Sequence, residues 1–247
     1  MKLEFSIKSW TAWSSSKGAT FSHPSSVYAS TAEGEANSVN LTLIPAMKRR
    51  RMNHQCKMAI STALDSLKQI ELEQPNCVFA SQHGELGRST KIIHSMIESG
   101  EISPTDFSMS VHNTALGLMS IMSKNQRPGT SIAAGDDTFG YGFLEACLQL
   151  QAEPNKPVLY VYFDEPLPEA IDKFDSERAE SRCIALVLYN ERAGAQFDFS
   201  MSEPNRLENE VHIGTEGLDL FVKFCSSQQQ RLNLNSSNHL WSWNRLK

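Results

Sequence analysis

The stretch SPTDFSMSVHNTALGLMSIMSKNQRPGTSIAAGDDTFGYGFLEACLQLQAEPNKPVLYVYFDE, from Ser103 to Glu165, decides how the chain is read. It opens with a polar turn and a short segment ending in Val111-His112-Asn113. A helix with small residues at Ala115, Gly117 and Ser120 follows, then the turn Gln126-Arg127-Pro128-Gly129. The short apolar run Thr130–Ala134 predicts a strand that stops at the corner Gly135-Asp136-Asp137-Thr138. Beyond the corner the pattern predicts a helix over Phe139–Leu150 and a buried strand over Pro157–Phe163. A strand that ends at a tight turn and hands over to a helix is where α/β enzymes often hold a nucleophile. This corner carries Asp136 and neither Ser nor Cys.

Working outward, Leu3–Ile7 alternates apolar and polar residues as a half-buried strand does, and Trp10 and Trp13 follow. The Ser/Gly-rich residues 14–40 carry no pattern strong enough for an element and read as a long excursion. A helix is predicted from about Asn53 to Ile70, with Met58, Ala59, Leu64 and Leu67 on one face. Cys77–Ser81 is a buried strand, Gln82–Glu85 its turn, and Leu86–Glu98 a helix. Downstream, Arg182–Tyr189 and Gln196–Met201 read as an antiparallel hairpin joined through Asn190–Ala195. Thr215 can cap a final helix through Phe224, and the polar tail Leu232–Lys247 reads as an extension across a surface. Strands alternating with helices predict an α/β fold with a mostly parallel sheet, helices on both faces and an antiparallel edge hairpin. The expected organisation is a single domain over 1–247, with a core of about 44–202 and a C-terminal helix and tail over 203–247.

With 247 residues, 40% of them hydrophobic and 21% charged, the chain can bury a sizeable core. A formal net charge of −5 argues against a nucleic-acid partner, because the one basic cluster, Lys48–Arg51, lacks the broad basic face that binding requires. The five cysteines are scattered and form no C-x-x-C pair, so reduced, buried thiols and a cytoplasmic setting are expected. No signal peptide and no apolar run of about 20 residues is present, so neither export nor membrane insertion is expected.

The residues offer little independent chemistry. Asp136 and Asp137 could share a metal, but neighbours on a bend point apart and no third acidic ligand lies nearby; Asp136 reads better as a helix N-cap or a corner residue that accepts backbone N–H bonds. His112 invites an acid/base role, yet without a nucleophile or oxyanion donors a buried, hydrogen-bonded histidine is the plainer reading. His83–Glu85 with Gly87–Thr90 lacks the spacing of a phosphate loop. No cofactor or metal is implied.

Val111-His112-Asn113 with Gly117, the Pro128–Thr138 turn, strand and corner, and the helix and strand through Phe163 resemble the N-terminal half of β-ketoacyl synthases of the thiolase fold. More narrowly, Ile44–Arg50, Phe79–Glu85, Ser103–Ser108 and Ala134–Phe139 resemble the short chain-length-factor-like proteins of aryl polyene biosynthesis clusters. Ungapped alignment on Asn113, Gly117 and Ser131–Ala133 puts Asp136 where the synthases hold their catalytic Cys. An aspartyl oxygen would give only a labile mixed anhydride, and the downstream histidine segments of the synthases are missing from this sequence.

The resemblance therefore implies a non-catalytic subunit that forms a heterodimer with a catalytic β-ketoacyl synthase and works on an acyl-carrier-protein-bound polyene through that partner. Asn113 and Thr130, Ser131, Ile132, Ala133 and Ala134 would lie at the interface. Asp106, Phe107, Ser110 and Val111 would lie at the floor of the partner's acyl tunnel and help set product length. The alternative is an enzyme acting on acyl or malonyl thioesters, as decarboxylase or hydrolase, through Asp136 and His112. A third reading is a stabilising subunit that shapes no pocket.

Overall fold

The computed structural model describes residues 2–16, 18–23, 26–31, 39–70, 74–172, 180–190, 196–204 and 215–246. Strands β4 (Asn76–Ala80), β5 (Gly129–Ile132) and β6 (Val158–Asp164) form a parallel group in the order β5-β4-β6. Their side chains explain why they lie at the centre. Val78 and Ala80 of β4 and Val158, Tyr160 and Tyr162 of β6 enter one hydrophobic core, while Cys77, Phe79, Leu159, Val161 and Phe163 enter another on the opposite face. Strands buried on both faces read as unbroken apolar runs, which is how both were recognised in the sequence.

The sheet then continues antiparallel, through β7 (Arg182–Tyr189), β1 (Lys2–Ser14), β8 (Phe197–Ser202), β10 (Leu240–Arg245) and β9 (Arg231–Asn235). The expectation of a mostly parallel sheet is corrected: parallel pairing is confined to β5-β4-β6, because the strand-helix-strand rhythm stops after β6. The expected hairpin is corrected too. β7 and β8 do not pair with each other; β1, from the far end of the chain, lies between them and bonds to both. The edge hairpin is built from β9 and β10, so the tail is part of the sheet rather than a surface extension. Residues within 14–40 include β2 (Gly18–His23) and β3 (Ser26–Thr31), with β2 pairing Trp10–Ser14 of β1. Sheet strands thus extend beyond the expected core of 44–202 at both ends. The linker 191–195 lies outside the described residues.

Helices cover both faces. On one side α2 (His54–Lys68) and α5 (Thr114–Ser123) pack Met58, Ala63, Ala115 and Met119 against Trp13, Phe79 and Val161. On the other, α6 (Thr138–Ala152) and α7 (Thr215–Ser226) pack Phe139, Phe143 and Phe221 against Phe5, Tyr160, Trp241 and Trp243. Trp10 and Trp13, three apart on β1, point to opposite cores as strand alternation requires. Asn53 caps α2 by accepting the Cys56 N–H at 2.9 Å. All five cysteines are free, and burial pushes the Cys77 and Cys183 thiols up to about 12. No helix among the described residues is long and apolar enough to cross a membrane.

Asp65 on α2 gives a pH signature. Burial pushes its carboxyl up to about 6, against the pull of Lys68. The folded value exceeds the ~3.9 of an unfolded chain, so the charged form is the one the fold disfavours, and stability falls as pH rises from about 4 through 6. Asp65→Asn is expected to raise the melting temperature at about pH 7 and leave it unchanged near pH 3.5. Equal gains at both pH values in thermal melts would contradict this.

Candidate functional site

Three features converge at the carboxyl end of the parallel strands: the corner after β5, the turn after β4, and the segment between α3 (Leu86–Glu98) and α5 that contains α4 (Pro104–Ser108). At the corner Gly135 adopts φ +56°, a backbone conformation that glycine enters without a Cβ penalty, and Gly135–Asp137 form one 3-10 turn leading into α6. Thr138 Oγ1 accepts the Ala134 N–H at 2.9 Å and donates to the Gly135 carbonyl at 2.6 Å. Asp136 is exposed, with its carboxylate accepting from Ser237 Oγ at 3.2 Å. The expectation that Asp136 caps a helix is corrected: the residue preceding α6 is Asp137, and no carboxylate caps either the turn or the helix.

Asp137 is buried and turned toward the Ser236–His239 connection between β9 and β10. It accepts from Ser236 Oγ, from the Trp241 indole N–H at 2.8 Å and from Asn238 Nδ2 at 3.4 Å, with His239 Nδ1 3.2 Å away. Burial pushes this carboxyl up, but the donors from Ser236, Trp241, His239 and Asn238 outweigh it and leave the pKa below the usual carboxylate value. The sequence reading missed this cluster. Its signal was present in Trp241 and Trp243, two apart as on a strand face, with a polar turn just before them.

At the β4 turn, buried Asp164 accepts from Ser81 Oγ at 2.8 Å and from the Gln82 and His83 backbone N–H groups at 3.0 and 3.2 Å. His112 sits over this turn, with Nε2 2.8 Å from the Ser81 carbonyl and its ring against Gly84, whose φ is +52°. His112 is thus a half-buried, hydrogen-bonded histidine. No hydrogen bond or ion pair joins it to Asp136 among the described residues, and no group of three or more His, Cys, Asp or Glu there could hold a metal.

The residues expected to shape a pocket occupy α4 and the turn after it. Phe107 and Val111 are exposed, and Asp106 and Ser110 are half-buried. Ser110 Oγ donates to the Phe107 carbonyl at 2.8 Å. The residues expected at an interface lie on or beside β5, the end strand of the sheet, whose only strand partner among the described residues is β4. Thr130, Ser131, Ile132 and Ala134 are half-buried, and Ala133 and Asn113 are exposed. Ile121 on α5 and Leu148 on α6 are exposed. On α3, which buries none of its residues, Ile93, Met96 and Ile97 form an i, i+3, i+4 stripe turned to solvent.

A solved ketosynthase (ApeO) in complex with its chain length factor (ApeC) from Xenorhabdus doucetiae contains a similar chain: TM-score 0.75, 24% identity, 98% of this chain and 100% of that one covered. The ishigamide ketosynthase/chain length factor aligns with a TM-score of 0.61 and 12% identity over 90% of this chain and 73% of that one. A β-ketoacyl synthase from Burkholderia phymatum STM815 aligns at 0.59 and 12%, over 85% and 67%. At these identities the likeness shows a shared thiolase-like fold. No curated protein sequence matches the chain. A family model, that of the β-ketoacyl synthase N-terminal domain, matches residues 10–244. With nearly its whole length matched in this way, the chain belongs to the β-ketoacyl synthase N-terminal domain family.

Proposed function

We propose that this protein is a non-catalytic, chain-length-factor-like subunit that forms a heterodimer with a catalytic β-ketoacyl synthase and helps shape its acyl tunnel in aryl polyene biosynthesis. The observation that carries the reading is the open edge of β5, which among the described residues pairs only with β4. An edge strand with an open side is a template for another strand, and Ile93, Met96 and Ile97 on α3, Phe107 on α4, Val111 after it and Ile121 on α5 are exposed apolar side chains, as a surface awaiting a partner would carry. Similar chains in two of the solved structures belong to assemblies whose names pair a ketosynthase with a chain length factor. Asp136 at the corner cannot accept an acyl group as a thiolate would, so catalysis falls to the partner, which would also receive the carrier-protein-bound chain.

In this mechanism β5 pairs across a two-fold axis with the partner's equivalent strand, and α4 reaches the floor of the partner's tunnel. Each two-carbon extension must then displace packed atoms of Phe107, Ser110 or Val111, a cost that rises steeply once the tunnel is full. Ser110→Phe is expected to shorten the longest product by at least one two-carbon unit, read by mass spectrometry of products from the reconstituted pair. Unchanged products from an intact complex would leave only a stabilising role. Robust turnover of acyl-carrier thioesters by the isolated chain would instead favour an enzyme working through Asp136 and His112.

A further inference from the structure

Helix α4 carries Phe107, which the proposed function places at the partner's tunnel, yet neither α4 nor α3, against which it packs, buries a single residue. Apolar packing therefore does not set where Phe107 stands. A polar relay does. Buried Glu85 accepts from Asn53 Nδ2 at 2.6 Å and from Cys56 Sγ at 3.1 Å, both at the start of α2. Its carboxylate also holds Arg88 Nε at 3.5 Å, and Arg88 Nη1 donates to Asp106 Oδ1 at 2.6 Å. The relay thus runs from the rigid start of α2 to the residue preceding Phe107. Beside it lies a groove of about 830 Å³, lined in part by Asn53, His54, Arg88, Ser103, Asp106 and Glu165, so the side of α4 that carries Asp106 borders open space.

We infer that Arg88 is a positioning residue for chain-length control, fixing α4 through Asp106 so that Phe107 presents one defined tunnel floor; this rests on the reading of α4 given above. The Arg88 side chain is 15% exposed and that of Asp106 49%, so the pair contributes little to global stability. Its effect is geometric: a charge-assisted bond holds an element that has room to move. Without it, α4 samples positions along the groove and the tunnel floor takes more than one depth.

The test uses the complex with the ketosynthase that co-purifies with this chain, supplied with malonyl-loaded carrier protein, and reads the product-length distribution alongside native mass and melting temperature. Arg88→Met and Asp106→Asn are each expected to raise the share of minor lengths by roughly threefold, within what a half-exposed ion pair can shift. In the length readout the double variant should add nothing to either single change; stoichiometry stays constant, Asp106→Asn leaves the melting temperature unchanged, and Arg88→Met lowers it because it also removes the cation beside buried Glu85. Phe107→Ala is the control for the underlying reading and should lengthen the product. If Phe107→Ala lengthens it while Asp106→Asn, in an intact complex, gives the wild-type distribution, the Arg88 inference is overturned and the pocket reading stands. If Phe107→Ala changes nothing, the pocket reading fails and takes the inference with it.

Discussion

Replacing Gly140 by alanine is expected to cost about 3 kcal/mol and to lower the melting temperature by roughly 6–12 °C. A Cβ built at Gly140 on α6 would lie 2.2 Å from Cε2, 2.4 Å from Cδ2 and 2.7 Å from Cζ2 of Trp241. That indole cannot give way cheaply. It is fully buried, stacked on Phe199 at 5.8 Å between centroids, and its N–H is tied to Asp137 at 2.8 Å. Moving it far enough to admit a methyl group breaks the bond to a buried carboxylate and uncouples the β9–β10 turn from the corner, so the strain is not confined to one contact. Gly117→Ala, in the middle of α5 with nothing within 4 Å of the added methyl, is the control and should leave the isolated chain as stable or slightly more so. A Gly140→Ala melt within about 2 °C of the native chain would mean that the corner and the C-terminal hairpin are not locked as described.

The second large effect is on assembly. The carbonyls of Pro128 and Ile132 are taken by the N–H groups of Cys77 and Ser81 on the β4 side. Because a strand alternates its hydrogen-bonding direction every residue, the N–H and C=O of Ser131 face outward from the open edge of β5. Ser131→Pro removes that outward donor and puts a ring in the path of an incoming strand, while the β4–β5 ladder keeps its bonds; edge strands tolerate proline for this reason. Heterodimer affinity is expected to fall about a hundredfold, ~2.7 kcal/mol, with the melting temperature of the isolated chain nearly unchanged. A variant that pairs as well as the native chain would place the interface elsewhere, and one that unfolds alone would show that the Ser131 N–H serves the fold rather than an open edge.

What the sequence revealed and what it hid follow from the range of each signal. β4 and β6 could be read because strands buried on both faces are apolar along nearly their whole length, and the corner because a glycine-bearing turn between strand and helix is a local pattern. The helix over Leu86–Glu98 was expected, but a local pattern does not say whether an apolar stripe meets this chain or another, and that of α3 meets solvent. The false hairpin had a longer-range cause. β7 and β8 are neighbours in sequence joined by a short polar link, and nothing local tells that β1 is inserted between them. The C-terminal tail misled through composition. Asn233, Asn235, Ser236 and Ser242 dilute its hydropathy, while Leu232, Leu234, Trp241 and Trp243 alternate with them into the core. The alternate candidate centre fared likewise: adjacent carboxylates at the corner are indistinguishable in sequence, yet Asp136 faces solvent and Asp137 the buried turn.

The most direct test is to co-express this chain, tagged, with a catalytic β-ketoacyl synthase from the same organism and weigh what co-purifies by native mass spectrometry. The pairing proposal predicts a stable one-to-one complex. A well-behaved monomer or homodimer that retains no ketosynthase would contradict it.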